Sequence, residues 1–572
     1  MKNQAVVELL NDIADMLEMK GESAFRVRAY REAARRIENL HEDVVALAAE
    51  GRLTQIRGIG QSIAEKVTEF VTTGRSTYRD ELAGTLPPGI SALLEIPGVG
   101  AKKAKLFYEQ LGISTVDELE AAARSHRLRE LPTIKEKTEE NVLAGIQRLK
   151  QRTGRMLLGT ALPAAEEIVR QLRARPSVER IETGGSIRRM KETIGDIDIL
   201  VASSNPREAI QEFTNLPTVK SVIAKGTTKA SVLTRQDLQM DLRVVPPDDW
   251  GAALQYFTGS KAHNIELRTI AESKGFKVNE YGVFRVDTGE RVAGREEEEV
   301  YGILGAKWMP PEIREASGEI EAAMTGRLPD LVELPDIRGD LHVHTNWSDG
   351  ASSIEAMAEA ASERGYEYLV IADHSVSMGF VHGLSTDRIR EQRQIIDELN
   401  AHYDGFRLLQ GIEVNIRGDG SLDYDDDVLA SFDVVTASVH SGLGQPRERI
   451  TARVISAMRN PNVDIIGHPS GRIIGRRDAS DFDWEAVFAA AAETGTALEI
   501  NAQPDRLDLR DSDARRAAAL GVSFAINSDA HSGDQLELMR YGVATARRGW
   551  VEKDRVLNAL PLERLLERLA QR

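Results

Sequence analysis

Seven short apolar runs of strand type follow Gly339, and helical stretches separate most of them. The runs cover residues 340–344, 368–374, 408–414, 434–440, 463–468, 497–501 and 522–531. Parallel strands that alternate with helices close into a barrel, and the active site of such a barrel lies at the carboxyl ends of its strands. The pattern therefore predicts a strand–helix barrel in the last part of the chain.

Six of the seven runs carry or end on side chains of types that can bind metal ions. These side chains are His342, His344, His374, Glu413, His440, His468, Asp529 and His531. A single buried histidine is more often an ordinary core residue, but six strands that share the feature favour a metal cluster. Bound cations acidify water and neutralise phosphate, so the pattern predicts phosphoester hydrolysis. His382 and His402 lie outside the pattern and are interpreted as surface residues.

The chain has 572 residues and no cysteine, which predicts about three to five domains and leaves His, Asp and Glu as metal ligands. Its net charge of −17 argues at face value against a nucleic-acid partner. That argument is weak, because carboxylates that hold cations count as bare charge and because amides at helix N-termini bind phosphate without side-chain charge. No stretch approaches the ~18 apolar residues of a membrane span, so we expect a soluble, cytoplasmic protein with no membrane partner.

An internal repeat lies in the helical first part of the chain, where IRGIG at 56–60 is echoed by IPGVG at 96–100. In each copy an amphipathic helix follows, and the glycines let backbone amides approach a phosphate that a Cβ would block. The repeat resembles the helix-hairpin-helix, a sequence-independent clamp on the DNA backbone, with Gly58, Gly60, Gly98 and Gly100 as its contacts. The alternative is a helix C-cap followed by another helix. A third copy, LPTIK at 131–135, lacks both glycines and is interpreted as structural.

Five arginines lie on a predicted helix at residues 25–36. A solvated helix face and a part of the DNA path are both compatible with this charge run.

The middle of the chain contains GGSIRR at 184–189, GDIDILV at 195–201 and QMDLRVV at 239–245. Strand alternation places Asp196 and Asp198 on one face, and Asp241 can lie beside them. Three carboxylates this close repel one another unless cations lie between them. The motif set therefore predicts a pair of Mg²⁺ or Mn²⁺ ions and nucleotidyl transfer, in which one ion activates a hydroxyl and the other holds a triphosphate.

Asp241 is followed by WGAALQYFTGS at 250–260, by Asn264 and Arg268, and by EYG at 280–282. With the two hairpins, this order resembles a family X DNA polymerase over residues 1 to about 320. The resemblance implies that Asp196 and Asp198 bind both metals and that Asp241 helps to activate the primer 3′-hydroxyl.

The resemblance also implies nucleotide-binding residues and a lyase candidate. Gly185, Ser186 and Arg189 would hold phosphates, Tyr256, Phe257 and Gly259 would pack against the sugar, and Asn264 and Arg268 would probe the minor-groove side of the base pair. Lys66 stands where the family has a lysine that forms a Schiff base with an abasic sugar, and a plain DNA contact is the alternative. Lys261 and Ile265 depart from the vertebrate repair enzyme, so stacking around the incoming base is expected to differ.

The metal ligands of the last section, joined by Asp349, resemble those of the PHP (polymerase and histidinol phosphatase) family, a distorted (β/α)7 barrel. The resemblance implies up to three ions of Mn²⁺, Zn²⁺ or Fe, since mixed nitrogen and oxygen donors suit each of these metals. One site would use His342, His344, Glu413 and Asp529, with Glu413 bridging to a second site on His440 and His468; Asp349, His374 and His531 would form the third.

The resemblances imply a multidomain α/β chain. Its predicted parts are a small helical domain (1–80) with the first hairpin, a fingers-like helical domain (81–155) with the second, a nucleotidyltransferase α+β palm (156–248), a thumb-like domain (249–318), a linker (319–338) and the PHP barrel (339–572). The linker prediction rests on residues 305–338, which carry four prolines and many charges.

The implied function is gap-filling DNA synthesis from dNTPs on gapped or primer–template DNA, joined to a phosphoesterase that acts on DNA 3′ ends, with 3′→5′ exonuclease as the expected activity. One alternative is a non-DNA nucleotidyltransferase fused to a small-molecule phosphatase, which the hairpins and the YFTGS segment oppose. The other is a DNA-binding scaffold with inactive sites, which the intact carboxylates of both sites oppose.

Overall fold

The computed structural model describes residues 2–571 except 21, 39–43, 57–58, 74, 85–92, 94–95, 97–98, 132–133, 137, 141, 144–145, 147–154, 378–381 and 475–476. It forms two compact units, Met1–Arg155 and Met156–Arg572. In the described part of the chain, no helix combines the length and the apolar character needed to cross a bilayer.

The first unit is helical, as the sequence predicts. Its helices are α1 (Lys2–Lys20), α2 (Ala24–Glu38), α3 (Val44–Ala49), α4 (Gln61–Thr73), α5 (Thr77–Gly84), α6 (Ala101–Leu111) and α7 (Val116–Arg124). Apolar residues at helical spacing, such as Leu10, Ile13 and Leu17 of α1, are buried in one core with residues of the other helices. Thr115 and Glu118 form a capping box that fixes the start of α7.

The second unit begins with the segment that the sequence predicts to be the palm. Its elements are β1 (Met156–Leu157), α8 (Leu158–Arg173), β2 (Arg180–Thr183), α9 (Gly185–Arg188), β3 (Thr193–Ile194), β4 (Ile197–Ala202), α10 (Pro206–Thr214), β5 (Val219–Lys225), β6 (Lys229–Thr234) and β7 (Gln239–Val245). A five-stranded sheet has the order β2-β4-β7-β6-β5, and only the β4–β7 pair in it is parallel. This pairing brings the strands of the DxD motif and of Asp241 side by side.

The thumb region follows, with α11 (Trp250–Thr258), α12 (Lys261–Ser273), β8 (Phe276–Asn279), β9 (Gly282–Arg285), β10 (Arg291–Ala293) and α13 (Glu297–Gly302). A buried ion network ties it to the palm, because Glu297 accepts from Arg188 at 2.7 Å and from Arg314 at 2.6 Å. Burial opposes the charge of Glu297, but Arg314 and Arg188 outweigh it and hold the pKa of that carboxyl far below its usual range. Removal of one arginine would leave a buried charge poorly compensated.

Residues 319–338, which the sequence predicts as a linker, are packed in the structure. They contain helix α14 (Glu319–Thr325), with buried Ile320, and Val332 donates its backbone N–H to Val551 at 3.1 Å. The buried Glu319 carboxylate lies 2.7 Å from His263 Nδ1. The segment therefore contains prolines and charged residues and yet has side chains buried in specific tertiary contacts.

The barrel confirms the predicted fold. Its elements are β11 (Gly339–Val343), α15 (Ile354–Glu363), β12 (Tyr368–Ile371), α16 (Thr386–Asn400), β13 (Arg407–Asn415), α17 (Asp426–Leu429), β14 (Val434–Ser438), α18 (Arg447–Met458), β15 (Ile465–Ile466), α19 (Trp484–Thr494), β16 (Ala497–Asn501), α20 (Asp511–Ala519), β17 (Phe524–Asn527), α21 (Met539–Arg548) and α22 (Leu562–Ala570). The seven parallel strands follow chain order from β11 to β17, and each falls within or overlaps a predicted run.

The barrel sheet nearly closes on itself. An isolated parallel bridge joins Val343 to Ala530, and His344 donates its backbone N–H to Ala530 at 2.8 Å. The strands are buried on both faces, which explains their continuous apolar runs. Closure brings the ends of the first and the last strand together.

Candidate active sites

The carboxyl ends of the barrel strands carry the predicted metal ligands. His342 lies in β11, Glu413 lies in β13, and the other ligands follow their strands in the connecting segments. Because parallel strands share one orientation, all these side chains meet at one end of the barrel.

Glu413 lies at the centre of this cluster and is fully buried. Its Oε1 atom is 3.1 Å from His440 Nε2 and 2.9 Å from His468 Nε2. Its Oε2 atom is 2.7 Å from His374 Nδ1 and 3.6 Å from His342 Nε2. Burial alone would raise the pKa of Glu413, but the imidazoles of His440, His374 and His342 hold it well below its ordinary value.

Asp349 contacts three histidines of the cluster. Its Oδ2 atom is 3.4 Å from His374 Nε2 and 3.5 Å from His531 Nε2, and its Oδ1 atom is 3.8 Å from His344 Nδ1. His344 Nε2 is in turn 3.2 Å from Asp529 Oδ1. The nine predicted ligands therefore form one continuous cluster.

Three groups in this cluster have ligand atoms within 4.8 Å of one another: His344, Asp349, His374 and His531; His342, His344 and Asp529; His374, Glu413 and His440. His374 belongs to two of these groups, whereas the resemblance assigns it to one ion, and His468 joins through Glu413. The distribution of the ligands among ions stays a prediction.

The donor set fits metal ions. The Nδ1 atoms of His344, His440 and His468 are buried and have no hydrogen-bond partner. Native proteins rarely leave buried polar atoms unsatisfied, so these nitrogens, together with the clustered carboxylates, are available as ligands.

Glu499 contacts two of the predicted ligands and is absent from the set predicted from the sequence. It lies in β16, the one strand without a predicted ligand, and is fully buried. Its Oε1 atom lies 2.7 Å from His342 Nδ1, and its Oε2 atom accepts the backbone N–H of His468 at 2.5 Å. A carboxylate bound to the outer nitrogen of a ligating histidine fixes the ring and its tautomer. The acidic residue inside the apolar run ALEIN was the available signal.

The palm carboxylates lie close to one another on neighbouring strands. Asp198 of β4 pairs in register with Asp241 of β7, and Asp196 directly precedes β4. Burial, followed by the charges of Asp241 and Asp196, raises the pKa of Asp198 to about 6. Lys229 Nζ lies 3.2 Å from Asp241. Among the described residues, each group of three or more potential ligands with atoms within 4.8 Å of one another lies in the barrel.

Gly185 adjoins the palm carboxylates in a conformation that favours glycine. Its φ is +58°, and a Cβ at this position would lie 2.7 Å from Asp198 Oδ2. Ser186 follows in the short helix α9. The glycine therefore allows this turn to pass directly beside the Asp198 carboxylate.

The other predicted nucleotide contacts have protein partners. Arg189 is buried; its Nε lies 3.0 Å from Glu315 Oε1, and its Nη1 donates to the Thr258 carbonyl beside Gly259. Asn264 donates to the Tyr256 carbonyl at 2.8 Å. These side chains brace the junction of α11 and α12, and their contacts with a nucleotide stay predictions.

The rest of this segment carries the aromatic candidates and the last predicted contact. Tyr256 and Phe257 have ring centroids 5.2 Å apart, and the Arg243 guanidinium lies 4.4 Å from the Phe257 centroid. Arg268 donates from Nε to the Asn264 carbonyl at 3.2 Å.

In the first unit, Gly60 and Gly100 directly precede α4 and α6. Neither has a positive φ, and an added Cβ would meet nothing within 4 Å. Neither packing nor backbone conformation therefore requires glycine at these two positions. The open space beside each main chain is compatible with close approach of a ligand, which a Cβ would block. Gly58 and Gly98 lie outside the described residues.

Lys66 lies beside an aromatic ring. Its Nζ donates to Ser62 Oγ at 2.8 Å and lies 4.6 Å from the Tyr78 ring centroid. In the arginine-rich helix α2, Arg26 donates to Tyr78 Oη at 2.8 Å and Arg31 pairs with Asp15 at 2.6 Å. Part of this positive charge is thus already neutralised within the protein.

Family models match four stretches of the chain: a helix-hairpin-helix domain (1–76), a SAM-like helix-hairpin-helix tandem (90–148), a DNA polymerase beta thumb (253–315) and a PHP domain (340–503). The DNA polymerase/3′-5′ exonuclease PolX of Bacillus subtilis (strain 168) is 40% identical over 565 residues, which are 98% of both chains. The chain belongs to the PolX family. Among the described residues, the structure extends the barrel of this PolX member beyond the PHP match, through β17 and the predicted ligands Asp529 and His531.

Shorter relatives match less of this PolX chain. A probable phosphatase of Thermoanaerobacter sp. (strain X514) is 32% identical over 231 residues, 38% of this chain and 89% of its own length. A probable phosphatase of Shewanella oneidensis is 31% identical over 234 residues, 39% of this chain and 88% of its own length.

Metal affinity of the palm should depend on pH through Asp198. Because the pKa of this carboxyl is raised to about 6, it binds a proton below that pH, and a cation must displace the proton. Mn²⁺ affinity should rise about tenfold per pH unit up to pH 6 and then level off. Mn²⁺ titration followed by electron paramagnetic resonance between pH 5 and 8 measures this, in a His344→Ala/Asp529→Ala background that weakens the barrel sites. An Asp198→Asn variant that keeps the same slope would contradict the assignment.

Proposed function

We propose that the chain is a template-directed, gap-filling DNA polymerase whose palm extends DNA 3′ ends and whose barrel removes nucleotides from them. The observation that carries the polymerase half is the register pairing of Asp198 with Asp241 beside the Gly185 turn. Paired carboxylates next to a glycine turn suit nucleotidyl transfer, since the cations neutralise the triphosphate while the backbone lies close to it. The B. subtilis relative, named for both activities and aligned over 98% of both chains, supports DNA as the substrate of both sites.

Each palm residue has a distinct proposed role. Asp196 and Asp198 would hold two Mg²⁺ or Mn²⁺ ions, and Asp241 would hold the catalytic one. When bound, these ions supply activation of the primer 3′-hydroxyl and charge neutralisation on the triphosphate. The proposed contacts with the dNTP are Gly185, Ser186 and Arg189 for the phosphates, Tyr256, Phe257 and Gly259 for the sugar, and Asn264 and Arg268 for the base pair.

The barrel cluster is proposed to hydrolyse phosphodiesters at DNA 3′ ends. Its nine ligands suit up to three ions of Mn²⁺, Zn²⁺ or Fe, which supply an acidified water and charge neutralisation when bound. Glu499 keeps His342 Nε2 directed at the cluster through the contact at Nδ1. Attachment to a polymerase supplies DNA ends at high effective concentration.

A second candidate for the barrel is hydrolysis of small phosphomonoesters, which the relatives named as probable phosphatases motivate. The same metal cluster serves either substrate. The nuclease test below distinguishes the two, because only one of them predicts shortening of labelled DNA.

For the first unit we propose two backbone clamps on DNA, at Gly60 and Gly100. One clamp would hold the downstream strand of a gap and the other the primer strand. Lys66 is proposed as a DNA-contacting residue, with Schiff-base formation as the alternative role.

Asp198→Ala, or Asp241→Ala, should abolish primer extension while DNA binding and nuclease activity stay nearly intact. Loss of a bridging ligand removes transition-state stabilisation worth a factor on the order of a thousand or more in rate. Primer extension on a gapped duplex measures the effect. Asp287→Asn, at an exposed site in the thumb, is the matched control and should stay within about twofold of wild type. Extension by the Asp198 variant within about tenfold of wild type would sink the assignment.

His344→Ala, or Asp529→Ala, should remove nuclease activity and spare synthesis, because both residues lie in the barrel cluster. The measurement uses 3′-labelled DNA with Mn²⁺, and with Zn²⁺ and Mg²⁺ in parallel. His402→Ala, at an exposed barrel histidine, is the control and should leave the rate unchanged. If the wild type hydrolyses only mononucleotides or pyrophosphate and leaves labelled DNA intact, the nuclease proposal is wrong and the metal site remains.

Gly60→Val and Gly100→Val should each weaken binding to gapped duplex DNA by about tenfold, since a branched side chain blocks phosphate from the backbone amides. The loss should be similar for every sequence, because phosphate contacts carry no base information. Fluorescence anisotropy on several gapped duplexes and on single-stranded template measures this. Circular dichroism checks that the helices persist. Losses that vary with sequence would contradict the clamp.

A further inference from the structure

The barrel docks onto the palm and thumb of the same unit through arginine side chains. The pairs are Arg472 with Glu192 (2.6 Å), Arg540 with Glu166 (3.0 Å) and Arg547 with Glu312 (2.7 Å). Leu507 and Tyr541 of the barrel also lie in the apolar core of the palm. The barrel is therefore part of the packing of the polymerase half.

Arg548, at the end of α21, reaches the proposed nucleotide-binding segment. It is 9% exposed, and its Nη1 donates to the Arg189 carbonyl at 2.8 Å and to Glu315 Oε1 at 3.2 Å. Its Nε and Nη2 atoms bind Asp511 of the barrel at 2.9 and 2.7 Å. Asp511 binds the side of the guanidinium that carries Nε and Nη2. The barrel therefore fixes the Nη1 atom, which donates to Arg189 and Glu315.

Glu315 is shared between arginines of the two domains. Its Oε1 atom lies 3.0 Å from Arg189 Nε, 3.6 Å from Lys191 Nζ and 3.2 Å from Arg548 Nη1. Burial opposes its charge, but Arg189, Lys191 and Arg548 hold its pKa below the ordinary value. How strongly this carboxylate attracts Arg189 depends on how much of its charge Arg548 neutralises.

We propose that Arg548 is a positioning residue for nucleotide incorporation, which acts through Glu315 and the backbone of Arg189. The inference rests on the proposed function, because it takes Arg189 as a ligand of the triphosphate. Arg548 shares the Glu315 carboxylate with Arg189, neutralises part of its charge and holds the Arg189 main chain. Glu315 therefore attracts the Arg189 guanidinium less strongly, and phosphate oxygens can compete for it. Without Arg548, Glu315 competes with the triphosphate for Arg189. The barrel thus contributes a side chain to synthesis as well as its own metal site.

The test uses Arg548→Gln in the full chain on a single-nucleotide gap. The value of kcat/KM for the dNTP should fall about tenfold, mainly through KM. The Kd for gapped DNA and the nuclease rate should stay within about twofold of wild type. Arg548→Lys keeps the charge but not the planar fork, and should recover part of the loss.

Arg540→Gln is the matched control. It removes another ion pair between barrel and palm, at Glu166, and should leave KM for the dNTP within about twofold. Equal KM increases in the Arg540 and Arg548 variants, or a KM increase that merely follows a lower melting temperature in both, would show general docking and overturn the proposal. A parallel loss of nuclease activity in Arg548→Gln would overturn it as well.

A double-mutant cycle with Glu315→Gln tests the route of the effect. In that background, the KM increase caused by Arg548→Gln should shrink from about tenfold to about twofold, because the competing carboxylate is gone and only the contact with the Arg189 carbonyl is lost. Full additivity would overturn the proposal. Failure of the wild type to extend primers would instead sink the proposed function, so the two failures are distinguishable. If Arg548→Gln does not fold, Arg548→Lys carries the same cycle.

Discussion

The barrel depends on the burial of one carboxylate, Glu413, among four imidazoles. A buried carboxylate costs several kcal/mol unless charges and hydrogen bonds compensate it. Here the compensation comes from histidines at the ends of four different strands, with Nε2 or Nδ1 atoms 2.7 to 3.6 Å away. Those imidazoles reach Glu413 only when the strands lie side by side in order and the sheet nearly closes. Fold and metal site are therefore stabilised by the same contacts.

The clustered carboxylates of the palm are more exposed than Glu413 and are compensated differently. The Asp241 side chain is 19% exposed, against 1% for Glu413, and no imidazole compensates it in the contacts described. Hard cations with water and phosphate oxygens among their ligands suit such an open site, because they arrive and leave with the substrate. The barrel instead surrounds its donors with protein, and Glu499 fixes the ring of His342 from outside the cluster.

Much of this could be predicted from the sequence because the signals are local. Seven apolar runs predict seven strands, and ligands at their ends follow from strand direction. The role of Glu499 could not be predicted in this way, since it depends on which nitrogen of His342 faces β16. The contacts of Arg189 could not be predicted either, because its partners Glu315 and Thr258 are far away in the chain. Prolines and charges suggested a linker at 319–338, yet tertiary contacts bury Ile320 and Val332.

The docking of the barrel onto the palm bears on how one DNA end is served by two active sites. Three ion pairs join two barrel segments, the one at Arg472 and helix α21, to the palm and thumb. Together with the shared core around Leu507 and Tyr541, they oppose any rotation of one domain toward the other. Because both active sites are held in place, the DNA must move between them. A 3′ terminus that passes from the nuclease site to the polymerase site has to fray, slide or rebind. The frequency of that transfer is then a property of the terminal base pairs, so a mismatched end, which frays readily, would visit the nuclease more often than a paired one.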